Sequence, residues 1–165
     1  VPLHGTHNVT NILLVIAVAK QLGMGIAAIA KQLRSFTPPE RTFAVREEHG
    51  ITILDDTHNA SPASFKAAIA WAKSQPAAQK ILLTSGLIEL GTAQDRIHAE
   101  LGAASVGIFD RVIFLNKRSA KPFAKGFSND VETFTKNLDP IPEGSLLVCE
   151  GRMSSNLIKS LLPHV

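Results

Sequence analysis

The sequence predicts an α/β fold in which a mostly parallel sheet carries helices on both faces. Short apolar runs alternate along the chain with longer segments whose apolar residues recur at helical spacing. The clearest pair is the run at 51–54 and the segment at 62–73, where Ser61 and Pro62 form a typical helix start. Continuous rather than alternating apolar runs indicate strands that are buried on both faces, as in parallel sheets.

The predicted elements follow in chain order. Asn8 or Thr10 caps a first helix that ends near Leu22, before Gly23 and Gly25. The other predicted helices are 26–33, 62–73, 92–106, 120–125, 131–137 and 154–162. The predicted strands are 43–45, 51–54, 81–84, 111–115 and 145–149. The first two strands form a hairpin, because His49 and Gly50 between them read as a turn.

A pair of prolines predicts a domain boundary. Pro38 and Pro39 favour extended backbone and stop helices, so the predicted segments are 1–37 and 38–165. The second segment contains every predicted strand, and we expect it to form a Rossmann-like domain. The first contains only helices and a linker, and we expect a helical tail that belongs to a neighbouring domain. The stiff linker is a candidate hinge.

Composition excludes several classes of protein. Hydrophobic residues are 45% and charged residues 19% of the chain, which predicts a folded core. No apolar run approaches the ~18 residues of a membrane span. The lone Cys149 excludes an intramolecular disulfide and predicts a reducing, cytoplasmic location. The net charge is only +3 and the basic residues are scattered along the chain, which argues against nucleic-acid binding. The histidines lack the spacing of metal ligands, which argues against a metal site.

Residues 54–62, with the sequence LDDTHNASP, are the strongest candidate for a functional site. An apolar strand runs there directly into acidic and polar residues, and α/β sheets bind ligands at the carboxyl ends of their strands. Asp55 and Asp56 point to opposite faces while the strand continues, so they cannot serve one site equally. Spacing alone leaves a second interpretation open, in which they are a helix cap and an exposed turn acid.

Polar residues elsewhere repeat this pattern. Asn8 is explained as a helix cap, whereas Asn11 lies one turn further and is not. Glu89 lies in the loop after the strand at 81–84. It is either a ligand contact or a residue that caps the loop. Arg152 precedes Ser154, which with Ser155 begins the last helix, where exposed N–H groups suit a carboxylate.

These segments resemble motifs of the Mur ligase family, in the same order along nearly the whole chain. Residues 54–62 resemble its DD-x-x-NA-x-P motif, and residues 5–11 resemble its G-x-HN-x-x-N. Arg41 is similar to the linker arginine, residues 89–91 to the ELG sequence, and residues 150–152 to a KGSR-like loop. Two positions depart from the family pattern: Gly86 stands where relatives have an aspartate, and Glu150 stands where they have a lysine.

The resemblance implies an ATP-dependent amide-bond ligase of peptidoglycan precursor synthesis. Such an enzyme uses ATP and Mg²⁺ to convert a UDP-MurNAc-peptide into an acyl phosphate, which then accepts D-Ala-D-Ala or a related amine. Two alternatives stay open. One is another Mur-type or folylpolyglutamate-synthase-like ligase, and the other is a non-catalytic binding module with a Rossmann-like fold.

The resemblance also implies roles for individual residues. The residues expected to bind ATP are Asn8, Asn11, Arg41, Asp56 and Asn59, of which Arg41 is also catalytic. The residues expected to contact the substrates are His58, Glu89, Arg152, Ser154 and Ser155. The sequence has no G-x-x-x-x-G-K-[ST] loop. By resemblance, that loop and the Mg²⁺ ligands belong to a central domain upstream, residues 1–37 are its tail, and the chain alone is inactive.

Overall fold

A computed structural model describes residues 6–37, 39–134 and 138–163, with Thr6 and His7 described by their backbone alone. Gly5, Pro38 and residues 135–137, which contribute to the predictions above, lie outside the described residues. In the described ranges, no helix combines the length and the apolar character that crossing a membrane requires.

The described strands form one sheet in the order β1-β2-β6-β3-β4-β5. They are β1 (Ala44–Glu48), β2 (Ile51–Asp56), β3 (Lys80–Thr84), β4 (Arg111–Phe114), β5 (Glu132–Thr133) and β6 (Leu146–Glu150). β1 pairs with β2 as the predicted antiparallel hairpin, and every other pairing is parallel. The predicted mostly parallel sheet is therefore confirmed.

The described part of the chain contains six α-helices, of which the last four cover the two faces of this sheet. They are α1 (Thr6–Gln21), α2 (Ile26–Arg34), α3 (Pro62–Ser74), α4 (Gln94–Ser105), α5 (Lys117–Phe127) and α6 (Ser155–Lys159), with a short 3₁₀ turn at Gly91–Ala93. Residues of α3, α4 and α5 pack in one apolar cluster with Leu54 and Val148. Ile158 of α6 packs in a second cluster with Ile53 and Cys149, on the opposite face. Burial raises the pKa of the Cys149 thiol, which makes it an unreactive core residue.

The start of α3 fixes the chain immediately after the central motif. The Ser61 hydroxyl accepts a hydrogen bond from the Ser64 amide at 3.1 Å, and the Ser64 hydroxyl accepts one from the Ser61 amide at 2.8 Å. Pro62 occupies the first helical position, where its missing N–H has no cost. This reciprocal cap ends the loop at a defined residue, as the sequence predicted.

Two predicted elements are corrected. The helix predicted at 131–137 is wrong, because Glu132 and Thr133 form the edge strand β5. Arg111 on β4 holds β5 beside it, since the Arg111 guanidinium donates two hydrogen bonds of 2.9 Å to the Glu132 carboxylate. The guanidinium also lowers the pKa of that carboxylate. A two-residue strand is too short to show an alternating pattern. The last helix is also shorter than predicted and ends at Lys159.

Candidate functional site

The loops that follow β2, β6 and β3 meet at one edge of the sheet. These three strands are neighbours, so their carboxyl ends lie side by side. The Gly151 amide donates to the Asp56 carbonyl at 3.3 Å, and the Ser85 amide donates to the Glu150 carbonyl at 3.2 Å. The three sequence motifs at these strand ends therefore form one hydrogen-bonded surface.

Asp55 and Asp56 are both buried, with 2% and 3% of their surface exposed. They lie inside β2 and belong to opposite faces of the sheet. The Asp55 carboxylate accepts hydrogen bonds from Arg46 at 2.8 Å and from the Thr57 hydroxyl at 2.6 Å. The interpretation of these two residues as a helix cap and an exposed turn acid is therefore wrong. The sequence pattern of one strand does not show which of its charged residues are buried against partners from other strands.

Asp56 lies beside a second buried acid. One of its carboxylate oxygens accepts a hydrogen bond from the Phe43 amide at 3.0 Å. Its other oxygen, and both carboxyl oxygens of the neighbouring Glu150, are buried without a hydrogen-bond partner among the described residues. Burial raises the pKa of Glu150 well above its usual range, and the charges of Asp56 and Asp55 raise it further. This environment favours the protonated, neutral form of Glu150.

Arg41 lies in the segment that joins α2 to β1, called the linker below, and connects it to two of the loops. Its Nε donates to the Thr57 hydroxyl at 2.9 Å, and one of its terminal nitrogens donates to the Thr57 carbonyl at 3.1 Å and to the Met153 carbonyl. The backbone of Arg41 has φ +60°, and its carbonyl accepts a hydrogen bond from the His58 amide at 3.0 Å. The guanidinium is thus half-buried at the meeting point of the linker, the β2 loop and the β6 loop.

The other predicted residues at this edge are mostly exposed. His58 and Asn59 project from the β2 loop, and Arg152 projects from the β6 loop. Ser154 caps α6 as predicted, because its hydroxyl accepts a hydrogen bond from the Leu157 amide at 3.3 Å. Ser155 is half-buried as the first residue of that helix.

A cavity of 420 Å³ opens beyond the ends of β3 and β4. Its lining residues are Ser85, Leu87, Ile88, Glu89, Gln94, Asn116, Arg118 and Ser119. Asn116 accepts a hydrogen bond from the Ser119 amide at 3.0 Å, which caps α5, and donates one to the Ser85 carbonyl. Asn116 and Arg118 are not among the residues predicted from the sequence, although they follow a strand closely, as the predicted residues do. Applying the strand-end rule to β4 would have found them.

A second cavity, of 240 Å³, lies between α1, α2 and the linker. Its lining residues are Asn8, Asn11, Ile12, Val15, Leu33, Phe36, Pro39 and Thr42. The Asn11 side-chain amide donates to the Asn8 side-chain oxygen at 3.4 Å, so the two carboxamides lie together. One of the lining residues, Thr42, directly follows Arg41 in the sequence. Apolar walls with two carboxamides suit a flat heterocycle whose edge donates and accepts hydrogen bonds.

The structure thus places the predicted residues in three groups. Arg41 and Asp56 lie at the edge formed by β2 and β6, together with the exposed residues of both loops. Asn8 and Asn11 line the cavity beside the linker, and Glu89 lines the cavity beyond β3. Within the described residues, no three or more His, Cys, Asp or Glu side chains are grouped so that they could hold a metal ion.

Comparison with known proteins identifies similar sequences and folds. Residues 40–143 match the protein family described as Mur ligase, glutamate ligase domain. The UDP-N-acetylmuramoyl-tripeptide–D-alanyl-D-alanine ligase of Bacillus subtilis (strain 168) is 33% identical over 123 residues, which are 73% of this chain and 27% of that protein.

Two solved structures share the fold. Crystal structure I of MurF from Acinetobacter baumannii has a TM-score of 0.82 at 21% identity. The matched region covers 98% of this chain and 38% of the Acinetobacter baumannii chain. The MurF ligase from Thermotoga maritima in complex with ADP has a TM-score of 0.70 at 24% identity. The matched region covers 95% of this chain and 37% of the Thermotoga maritima chain. The chain therefore spans less than two fifths of the length of the proteins that it matches.

Proposed function

This chain belongs to the Mur ligase family, and from that membership we propose that it is the C-terminal part of an ATP-dependent amide-bond ligase. The proposed enzyme adds D-Ala-D-Ala or a related amine to a UDP-MurNAc-peptide in peptidoglycan precursor synthesis. One observation carries the proposal. Arg41 donates a hydrogen bond to the Met153 carbonyl, 112 positions away in the chain, and this contact supports the proposal because it joins two segments that carry family-like motifs.

The proposed reaction has two steps. A carboxylate oxygen of the UDP-MurNAc-peptide attacks the γ-phosphorus of ATP, which forms an acyl phosphate and releases ADP. The amine nitrogen then attacks the acyl carbon, the tetrahedral intermediate expels inorganic phosphate, and the nitrogen loses a proton. In the first step the negative charge of the transferred phosphoryl group is spread over its equatorial oxygens, and a guanidinium fork is suited to stabilise it.

We assign the nucleotide to the linker side of the site. The cavity with Asn8 and Asn11 suits adenine, because each carboxamide can both donate and accept a hydrogen bond. Arg41 lies toward the phosphates in this proposal, and Asp56 and Asn59 complete the nucleotide contacts. In the structure the Arg41 guanidinium is bound by protein oxygens, so reaching a phosphate requires it to exchange at least one of these partners.

We assign the amine to the opposite side of the same edge. D-Ala-D-Ala carries a carboxylate and an amino group, and the 420 Å³ cavity offers Arg118 and Glu89 as groups of opposite charge. Arg152, with Ser154 and Ser155 beside it, provides a second group of donors. His58 belongs to the substrate contacts in the same proposal.

The proposed domain division follows from this assignment. Residues 1–37 are the tail of the central domain together with the linker, and residues 38–165 are the C-terminal domain. The phosphate-binding loop and the Mg²⁺ ligands are assigned to the central domain of the full-length protein, and the N-terminal domain precedes it. A cytoplasmic location belongs to the same proposal, because ATP is a substrate.

Phosphate release by the full-length protein tests the proposed function. With ATP, Mg²⁺, UDP-MurNAc-tripeptide and D-Ala-D-Ala, we expect phosphate to appear together with one new amide bond per ATP consumed. Omission of either UDP-MurNAc-tripeptide or D-Ala-D-Ala should abolish phosphate release. L-Ala-L-Ala is the matched control for the dipeptide and should not replace it. Release that does not depend on any amine would contradict the ligase, whereas release that depends on a different amine would correct only the substrate.

Replacement of Asn11 by leucine tests the adenine assignment. One hydrogen-bonding group is removed while the size of the side chain is kept, so we expect the KM for ATP to rise by roughly five- to fifteenfold with kcat nearly unchanged. Gln21→Leu, at an exposed position on the same helix, is the control and should leave both parameters unchanged. An equal response of the two variants would remove Asn11 from the nucleotide site.

A further inference from the structure

His98 is a buried histidine that the proposed reaction does not use. It lies on α4 with 1% of its surface exposed, behind the loop 85–91. Its Nε2 accepts a hydrogen bond from the Leu87 amide at 3.0 Å, and its Nδ1 lies 2.8 Å from the Gln94 carbonyl oxygen. A backbone N–H can only donate and a carbonyl can only accept, so Nδ1 carries the proton and Nε2 offers its lone pair. One neutral tautomer satisfies both contacts.

The loop that His98 contacts has an unusual backbone. Gly86 has φ +74°, and a Cβ atom added there would lie 2.9 Å from the His98 Nε2 and 2.5 Å from the Ser119 Cβ. Glu89 has φ +62°, a conformation that costs energy for any residue with a side chain. Such a loop keeps its shape only if contacts outside it hold it, and the bond from Leu87 to His98 is one of these contacts.

The loop also forms one wall of the 420 Å³ cavity. Ser85, Leu87, Ile88 and Glu89 line this cavity, while His98 lies behind them and does not line it. The hydrogen bond from the Leu87 amide therefore links the His98 ring to this wall. Loss of the acceptor would leave a buried N–H unpaired, and the loop would have to move to find another partner.

We propose that His98 is a positioning residue that holds the loop 85–91, and with it the amine-side wall of the cavity, through the Nε2 lone pair of its neutral ring. The part that concerns the amine rests on the proposed function. The part that concerns the loop rests on the hydrogen bond and on the close packing at Gly86. The alternative is a histidine that only fills space in the core.

Three substitutions in the full-length protein separate these roles. In His98→Gln the amide oxygen can replace the Nε2 acceptor. His98→Leu fills a similar volume without an acceptor, and His98→Asn is polar but too short to reach Leu87. Hydrogen–deuterium exchange of peptides covering residues 85–91 reports the loop, and steady-state kinetics report the KM for the amine.

The Leu and Asn variants should exchange faster than the wild type in this loop, and their KM for the amine should rise by about tenfold with the KM for ATP unchanged. The Gln variant should stay close to the wild type in both measurements. Unchanged exchange in the Leu or Asn variant, or equal damage in the Gln variant, would overturn the proposal. If the wild type shows no amine-dependent turnover, the proposed function fails, and the exchange measurements still decide whether His98 holds the loop.

Discussion

Alanine in place of Arg41 is expected to lower amine-dependent phosphate release by the full-length protein about a thousandfold. The reason is that the guanidinium is assigned to the charge that develops during phosphoryl transfer, where a bidentate donor has its largest effect. The measurement is kcat with saturating ATP, UDP-MurNAc-tripeptide and D-Ala-D-Ala. Arg34→Ala is the matched control, because Arg34 is exposed at the end of α2, shortly before the same linker.

A second variant separates catalysis from structure at this position. Arg41 donates hydrogen bonds to Thr57 and Met153, so its removal also loosens the linker from two loops. Arg41→Lys keeps the positive charge but loses the planar fork. We expect the lysine variant to recover a small part of kcat. A lower melting temperature with kcat retained in both variants would show that Arg41 only ties the linker, and it would remove this residue from the catalytic assignment.

Glutamine in place of Glu150 is expected to stabilise the protein at neutral and alkaline pH. The Glu150 carboxyl is fully buried, neither oxygen has a hydrogen-bond partner among the described residues, and burial raises its pKa well above the usual range. Each unit of such a shift corresponds to about 1.4 kcal/mol of unfolding free energy. Glutamine has nearly the same shape as the protonated acid and carries no charge, so it avoids this cost.

The pH dependence identifies the cause. A raised pKa means that the folded state binds more protons than the unfolded state once the pH exceeds the usual glutamate pKa of about 4.3. Stability therefore falls as the pH rises through the interval between the unfolded and the folded pKa of Glu150. The advantage of Glu150→Gln in denaturant unfolding should be absent near pH 4 and should grow toward pH 8. The exposed Glu143→Gln should show no such growth. A constant difference at every pH would attribute the effect to packing instead.

Much of the fold could be predicted because its cause is local. The Ser61 and Pro62 start of α3, the hairpin through His49 and Gly50, and the buried strands each depend on a few adjacent residues, and the structure confirms them. The pattern at 131–137 predicts a helix and not β5, because the two residues of β5 are held by Arg111, which is distant in sequence, and not by a pattern of their own.

The candidate site was predictable in position but not in detail. A polar run after an apolar strand locates the loop at Asp56 without any knowledge of the other strands. Whether that aspartate is exposed or buried depends on Phe43 and Glu150, which are distant in sequence. Asn116 and Arg118 could have been included by the same rule, whereas His98 could not, because nothing around it in the sequence indicates the Leu87 amide.

The α/β class, the order of most elements and the loops that carry polar groups could be predicted from the amino-acid sequence, because backbone preferences and apolar spacing act over one or two turns of chain. The position of β6 between β2 and β3 is visible only in the folded chain. That insertion places Glu150 beside Asp56 and brings Arg41 to Met153, and the resulting burial raises the pKa of Glu150. Burial and hydrogen-bond partners depend on which distant segments become neighbours, and local patterns do not specify them.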